Sequence, residues 1–375
     1  MAIELKKLRK VYGQSTLAVD DVDLTFEDKK ISILIGPSGC GKTTTLKMIN
    51  RLIERTSGDI IIDGRSIDEI GLIELRRSIG YVIQEIGLFP HMTVFNNIAV
   101  VPRLLKWPED KIKKRVLELL DLMNLDPDEH PYKYPVQLSG GQKQRVGVAR
   151  GLAADPEILL MDEPFGAIDP INREKLQDAF IEIQEQINKT IVFVTHDIRE
   201  AIKLGDNIAI FNEGKLVQYD ETMTVINEPA DDFVENLLGS DRGLRSMELV
   251  RVHDHYDTDF FSLDLTDDLT VGDALKEIEK KDRRYAYVIN EKKRLAGYVV
   301  RKKIEKANKS DPLKKHVKET ESIHPSSSLL EAMSLMMTSG LSAVPVTDDR
   351  GRVRGVVRFS ALMEMFGSVD LTGSD

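Results

Sequence analysis

The sequence has one cysteine in 375 residues, Cys40, so no internal disulfide can form and a reducing compartment suits the chain. It has no apolar run of about 18 residues, the length a membrane-crossing helix needs, so it is not expected to cross a bilayer by itself. The opening stretch Met1-Ala2-Ile3-Glu4-Leu5-Lys6-Lys7 lacks the apolar core of a secretory signal, and the expected place is the cytosol. A positive excess is missing too: 52 Lys and Arg stand against 62 Asp and Glu, a net of −10. Residues 1–240 carry all of it, with 29 basic against 39 acidic residues, while residues 241–375 balance at 23 each. Such an acidic first part argues against a nucleic-acid partner, which wants a basic footprint. The length implies two or three domains, and 41% hydrophobic residues are ample for their cores.

Against these absences stands one dense stretch, Gly36-Pro37-Ser38-Gly39-Cys40-Gly41-Lys42-Thr43-Thr44. It follows the apolar run Ile31–Ile35 and precedes a helical pattern from Thr44 to Leu52. Glycines let successive N–H groups converge on a phosphate at the positive end of a helix. Lys42 can reach the β- and γ-phosphates, and the Thr43 hydroxyl can ligate Mg²⁺. The loop is expected to bind a nucleoside triphosphate, and modification of Cys40 within it to impair that binding.

Further along, Tyr81-Val82-Ile83-Gln84 closes an apolar strand pattern. Gln84 there is either structural or a neutral amide that helps hold Mg²⁺ and the attacking water. Two amphipathic patterns, Thr93 to Leu105 and Lys111 to Leu125, read as a helical insertion into an α/β core. Leu138-Ser139-Gly140-Gly141-Gln142 then opens a helix and offers a second anion site. One nucleotide cannot easily use two separate anion sites of one protomer. A head-to-tail homodimer resolves this, with Lys42 of one chain and Ser139 and Gly141 of the other gripping each ATP.

Ile158-Leu159-Leu160-Met161 reads as a central parallel strand that delivers Asp162 and Glu163 to its C-terminal end. Asp162 suits the Mg²⁺ shell and Glu163 suits polarising the attacking water. Asp169 places another carboxylate near the dimer seam. The last strand of this group, Thr190 to Thr195, ends in His196, which either satisfies a structural need or senses the γ-phosphate beside Glu163.

Over residues 1–240 these motifs together resemble the ATP-binding cassette (ABC) family, the ATPase subunits of membrane transporters. The unmodified Leu138-Ser139-Gly140-Gly141-Gln142 is the most specific of them. The resemblance implies adenine stacking on Tyr12, hydrolysis supported by Glu163, His196 and Gln84, and transmembrane permease subunits as partners. Two departures, Ile168 before Asp169 and Glu85 after Gln84, remove no needed chemical group.

After residue 240 the chain changes character, and 241–265 is expected to be a linker. An internal repeat follows, with Ala274, Val288, Gly297 and Val299 matched 58 residues on by Ala332, Val346, Gly355 and Val357. Residues 266–375 resemble a tandem pair of cystathionine-β-synthase (CBS) repeats, copies 266–308 and 324–366, whose relatives bind adenine nucleotides. The expected fold is thus α/β, a P-loop ATPase domain with a helical subdomain, followed by an α+β CBS module. The ribose-gripping Asp of nucleotide-binding copies is missing, with Lys303 and Ala361 at its positions. The pair is therefore either a spacer or a site for another nucleotide; its resemblance to the CBS pairs of osmolyte importers controlled by cyclic di-AMP implies that nucleotide as the leading candidate. Arg358 stands where a phosphate contact would fall, and Tyr285, Tyr287 and Val344 are candidate wall residues. The run Lys276 to Lys318, with 16 basic and 6 acidic residues, is either a solvated face or an anion-binding one.

An ABC ATPase with a CBS pair resembles the importers of quaternary-amine osmoprotectants (glycine betaine, carnitine, choline). That implies an extracytoplasmic substrate-binding protein in the complex and a place at the cytoplasmic face of the membrane. The alternatives are an ATPase for another small-molecule importer, a soluble ATP-driven switch, and a nucleotide sensor with a degenerate ATPase. The single cassette without coil or basic tail speaks against the switch, and the presence of Lys42 and Glu163 speaks against the sensor.

Overall fold

The computed structural model describes residues 1–13, 15–83, 87–166, 170–239 and 242–366. They form two compact units, Met1–Ser240 and Asp241–Asp375.

In the first unit, alternating apolar and polar residues build the hairpin β1 (Ile3–Tyr12) and β2 (Thr16–Phe26), whose inner side chains Ile3, Leu5, Leu8, Val22, Leu24 and Phe26 are buried. With β4 (Ser57–Ile62) and β5 (Arg65–Ser66) they make an antiparallel sheet, in the order β2-β1-β4-β5.

The second sheet consists of five largely buried runs, β3 (Ile31–Ile35), β6 (Ile79–Val82), β7 (Ile158–Asp162), β8 (Thr190–Val194) and β9 (Asn207–Asn212), and an edge strand, β10 (Lys215–Glu221), that is mostly half-buried or exposed. Their order is β10-β9-β3-β8-β7-β6, parallel except for the β9–β10 hairpin. Continuous apolar strands are what a parallel sheet covered on both sides requires. Helix α1 (Lys42–Ile49) follows β3 and buries Leu46, Met48 and Ile49 in the core shared by both sheets. Helix α2 (Leu72–Ser78) leads into β6.

The helical insertion comprises α3 (Val94–Leu104), capped by the Thr93 hydroxyl, α4 (Glu109–Leu122) and α5 (Gly140–Leu152). Its amphipathic faces bury Ile98, Ile112, Val116, Leu119 and Val146. Beyond it come α6 (Pro170–Ile187), α7 (Ile198–Leu204), α8 (Thr222–Asn227) and α9 (Asp232–Leu238).

In the second unit the segment expected to be a linker has structure of its own. Helix α10 (Arg242–Leu249) opens it, and Met247 and Val252 are buried in the core of the second CBS copy. Strand β11 (Ser262–Asp264) pairs with the first copy. That copy is α11 (Val271–Lys280), β12 (Tyr285–Ile289), β13 (Leu295–Val300) and α12 (Arg301–Ile304). The second is α13 (Leu329–Ser339), β14 (Ala343–Thr347), β15 (Val353–Arg358) and α14 (Phe359–Phe366). Both strands of the second copy match those of the first at both ends, offset by 58 residues, and the N-cap hydroxyls of Thr270 and Ser328 keep the same offset.

The repeated glycines have a packing cause. Lys318 exchanges two backbone bonds with Tyr298 of the first copy, and Asp257 exchanges two with Val356 of the second. A Cβ at Gly297 would lie 2.1 Å from the Lys318 carbonyl oxygen, and one at Gly355 would lie 2.4 Å from that of Asp257. Each glycine thus admits a crossing strand of backbone that any larger residue would exclude.

Candidate functional site

The C-terminal ends of β3, β7 and β8 meet at one edge of the large sheet, where ligands of open α/β sheets bind. The turn after β3 depends on glycine. A Cβ at Gly36 would stand 2.1 Å from the Phe211 carbonyl oxygen, and one at Gly41 2.3 Å from that of Ala18; both residues have positive φ, +143° and +104°. So folded, the loop leaves the amides of Ser38, Gly39 and Gly41 with no carbonyl partner among the described residues. Free N–H groups at a helix N-terminus are an anion site.

Lys42 is buried, and its ammonium donates to the carbonyl oxygens of Gly36 at 2.8 Å and Pro37 at 2.9 Å, with Cys40 Sγ 3.5 Å away. The charge is stored inside the loop and can exchange these carbonyls for phosphate oxygens. Cys40 is itself buried, so a thiol reagent meets little of it in the folded chain. Thr44, in the first turn of α1, is half-buried beside Thr43.

The Thr43 hydroxyl donates to Asp162 Oδ1 at 2.8 Å, and Lys47 Nζ lies 4.0 Å from Oδ2. Burial pushes the Asp162 carboxyl up, while the Thr43 bond and Lys47 pull it back down. Lys47 was not among the sequence-derived candidates, although it sits one helical turn after Thr43 and so shares its face. Among the described residues no group of three or more His, Cys, Asp or Glu could hold a metal ion. A hydroxyl and one carboxylate fit Mg²⁺, which keeps several waters and takes its remaining oxygens from substrate phosphates.

Glu163 extends the sheet by one bond, its N–H donating to the Val194 carbonyl at 2.9 Å, and then turns with φ +45°. A non-glycine residue in this region costs on the order of 1–3 kcal/mol. The turn sets Oε2 of Glu163 3.2 Å from Nδ1 of His196. The His196 ring is otherwise mostly exposed.

The signature stands elsewhere. Ser139 caps α5 reciprocally: its hydroxyl accepts from Gln142 N at 3.3 Å, while Gln142 Oε1 accepts from Ser139 N at 2.9 Å. Gln142 Nε2 also meets the buried His130 at 3.3 Å. Leu138 anchors the motif by burial, leaving Ser139 and Gly140 exposed and Gly141 half-exposed. Among the described residues no hydrogen bond or ion pair joins 138–142 to 36–44. Tyr12, the last residue of β1, is exposed with Lys10 Nζ 4.9 Å from its ring centroid. Gln84 and Asp169 lie outside the described residues.

In the second unit a cleft of about 510 Å³ is lined by Phe260, Arg284, Tyr285, Tyr287, Arg358 and Phe359, among others. The rings of Tyr285 and Tyr287 pack edge to face, and the Tyr287 hydroxyl donates to the Ala343 carbonyl at 2.6 Å. Arg358 already has a partner: Nε and Nη2 donate to Asp257 Oδ2 at 3.2 and 3.0 Å, and Nη2 donates to the Asp259 carbonyl at 2.8 Å. Val344 does not line the cleft; alternation along β14 turns its side chain into the second copy's core.

The family profile described as ABC transporter matches residues 19–166, and that of the CBS domain matches residues 264–309 and 315–367. The chain is 43% identical over 366 residues to the glycine betaine/carnitine/choline transport ATP-binding protein OpuCA of Bacillus subtilis, covering 97% of this chain and 96% of that protein. It is 41% identical over 364 residues to the osmoprotectant import ATP-binding protein OsmV of Salmonella typhimurium, covering 95% and 94%. Among solved structures, the dimeric bacterial ABC transporter cassette MJ0796 aligns with a TM-score of 0.53 at 34% identity, covering 59% of this chain and 98% of that one. A loop with free amides, a stored lysine and a strand-end carboxylate pair thus coincide with near-full-length similarity, and the chain belongs to the ABC transporter family as an ATP-hydrolysing subunit with two CBS domains behind its ATPase domain.

Proposed function

We propose that this ATPase energises uptake of a quaternary-amine compatible solute of the glycine betaine, carnitine and choline class. Its partners are transmembrane permease subunits, with an extracytoplasmic substrate-binding protein delivering the solute. It works as a homodimer at the cytoplasmic face of the membrane. The observation that carries this reading is the similarity to OpuCA over 97% of the chain, which extends through both CBS copies. An apolar groove of about 890 Å³ beside α2, lined by Leu72, Ile73, Glu74, Arg77 and Leu105, supports a protein partner on the ATPase unit; Ile73 is 67% exposed there.

In this reading the adenine stacks on Tyr12, and the triphosphate takes the free loop amides and Lys42. Ser139 and Gly141 of the second protomer close over the γ-phosphate, and Asp169 lies at the seam. Glu163 accepts the proton of the attacking water, with His196 holding the γ-phosphate beside it and Gln84 orienting the water. Thr43, Asp162 and Gln84 would hold Mg²⁺, which neutralises charge building on the phosphate oxygens.

The CBS pair is the regulatory part, binding cyclic di-AMP across a two-fold seam with Arg358 on its phosphate. One observation favours the rival reading of the pair as a dimerisation spacer: Asp257 already neutralises Arg358. Titrating the isolated unit 241–375 with cyclic di-AMP separates the two, since no binding at tens of micromolar leaves the spacer. For transport, the test is ATP-driven uptake of glycine betaine, carnitine and choline by proteoliposomes holding the chain with its permease. Uptake of an unrelated solute in their place would overturn the assignment.

A further inference from the structure

His196 is held by little of its own. Among the described residues its ring has one ion-pair contact, with Glu163, and it is 62% exposed. The two residues that flank it are, by contrast, clamped. The Asp197 N–H donates to the Thr195 hydroxyl at 3.0 Å, and the Asp197 side chain caps α7 by accepting from Arg199 N at 2.9 Å. The Thr195 hydroxyl donates in turn to Glu200 Oε2 at 2.6 Å. Glu200 is only 4% exposed, and burial pushes its carboxyl up.

The other oxygen of Glu200 faces α6. Gln177 Nε2 donates to Oε1 at 3.2 Å, and Arg173 Nε stands 3.9 Å from the same atom. Arg173 also reaches Asp197 Oδ2, at 3.7 Å. Arg173 and Gln177 are one helical turn apart on the helix that begins directly after Asp169. A buried carboxylate is costly, and breaking its partnerships costs more than the bare loss of a bond. Every side-chain partner of Glu200 among the described residues lies either in the loop that carries His196 or on α6.

We propose that Glu200 is a positioning residue for hydrolysis: through Thr195 it sets the backbone that aims His196 at Glu163, and through Gln177 and Arg173 it ties that aim to α6. The inference rests on the reading of His196 as the γ-phosphate contact. It adds a buried route by which a displacement of α6, the helix leaving the dimer seam, changes the geometry at the reacting phosphate. The route involves neither the phosphate loop nor Tyr12, so it acts on turnover and not on nucleotide affinity.

The test uses the full-length chain under single-turnover conditions. Thr195→Val removes the hydroxyl while keeping the shape, and Thr195→Ser retains the hydroxyl. Thr195→Val is expected to lower the hydrolysis rate about 10- to 100-fold, the scale of a misaimed group, with the KM for ATP unchanged. Thr195→Ser should restore most of the rate. In a His196→Ala background, Thr195→Val should cause no further loss, because the residue it aims is gone. A multiplicative loss in that background, or full activity of Thr195→Val alone, overturns the proposal while leaving the role of His196 standing. Normal turnover of His196→Ala alone removes that role, and this inference with it. Glu200→Gln, which leaves a single acceptor oxygen for the two donors of Gln177 and Thr195, is the second variant, and a rate equal to that of the parent chain would count against the route.

Discussion

Oε2 of Glu163 and Nδ1 of His196 lie 3.2 Å apart, carried there by two adjacent parallel strands and a left-handed turn at Glu163 itself. In the proposed mechanism Glu163 is the base, and Glu163→Gln keeps its shape while removing that function. Turnover should fall by at least about 10²-fold, the scale of losing a general base. Nucleotide binding should persist and an ATP-bound dimer should accumulate, read by light scattering. Near-normal phosphate release from this variant would reassign the base.

The phosphate-loop glycines are not equivalent. A Cβ at Gly36 would meet the Phe211 backbone at 2.1 Å, whereas one at Gly39, with φ +82°, would meet nothing within 4 Å. Gly39→Ala should therefore cost only backbone strain, about 1–3 kcal/mol at most. Gly36→Ala must displace β9 or the loop and should lower the melting temperature far more. Equal melting shifts for the two variants would contradict the packing argument.

In the proposed reading of the CBS pair, Asp257 competes with the phosphate of cyclic di-AMP for Arg358. Their side chains are 45% and 31% exposed, and a pair so open to solvent holds Arg358 only weakly. Asp257→Asn is accordingly expected to tighten binding of cyclic di-AMP by about two- to fivefold in calorimetric titration. Unchanged or weaker binding would mean that the phosphate goes elsewhere.

Acid should loosen the second unit. Asp348 accepts from the N–H groups of Arg350 and Arg352, both at 3.0 Å, and pairs with the guanidinium groups of Arg352 and Arg354. These donors hold its carboxyl well below the usual range. A carboxylate depressed in the folded state lends stability above its unfolded pKa, near 3.9, and that stability is lost as pH falls through the folded value. The melting temperature of the unit should drop below about pH 4, and Asp348→Asn should flatten the fall, since it removes the titrating group.

Motifs written in consecutive residues were legible in the chain as local patterns. Gly36 to Thr43, Leu138 to Gln142 and Asp162-Glu163 each need a fixed local backbone, and such motifs are read without knowing what packs on them. The 58-residue repeat was legible for the same reason, since helix and strand periods are local properties.

What only the tertiary structure decided is which side chain meets which across long stretches of chain. Thr43 finds Asp162 119 residues away, and Arg358 finds Asp257 101 residues away. Residues 241–265 carry α10 and β11 because Met247, Val252 and Leu263 have cores to enter. Val344 turns inward because β14 is paired in one register, and a one-residue slip would have put it in the cleft. Lys42 rests on its own loop carbonyls, and Glu200 takes the Thr195 hydroxyl and the Gln177 amide, because burial forces each charge to find donors or acceptors wherever the fold brings them. Local pattern determines elements and motifs, while these pairings come from desolvation and close packing, which exist only once the chain has folded.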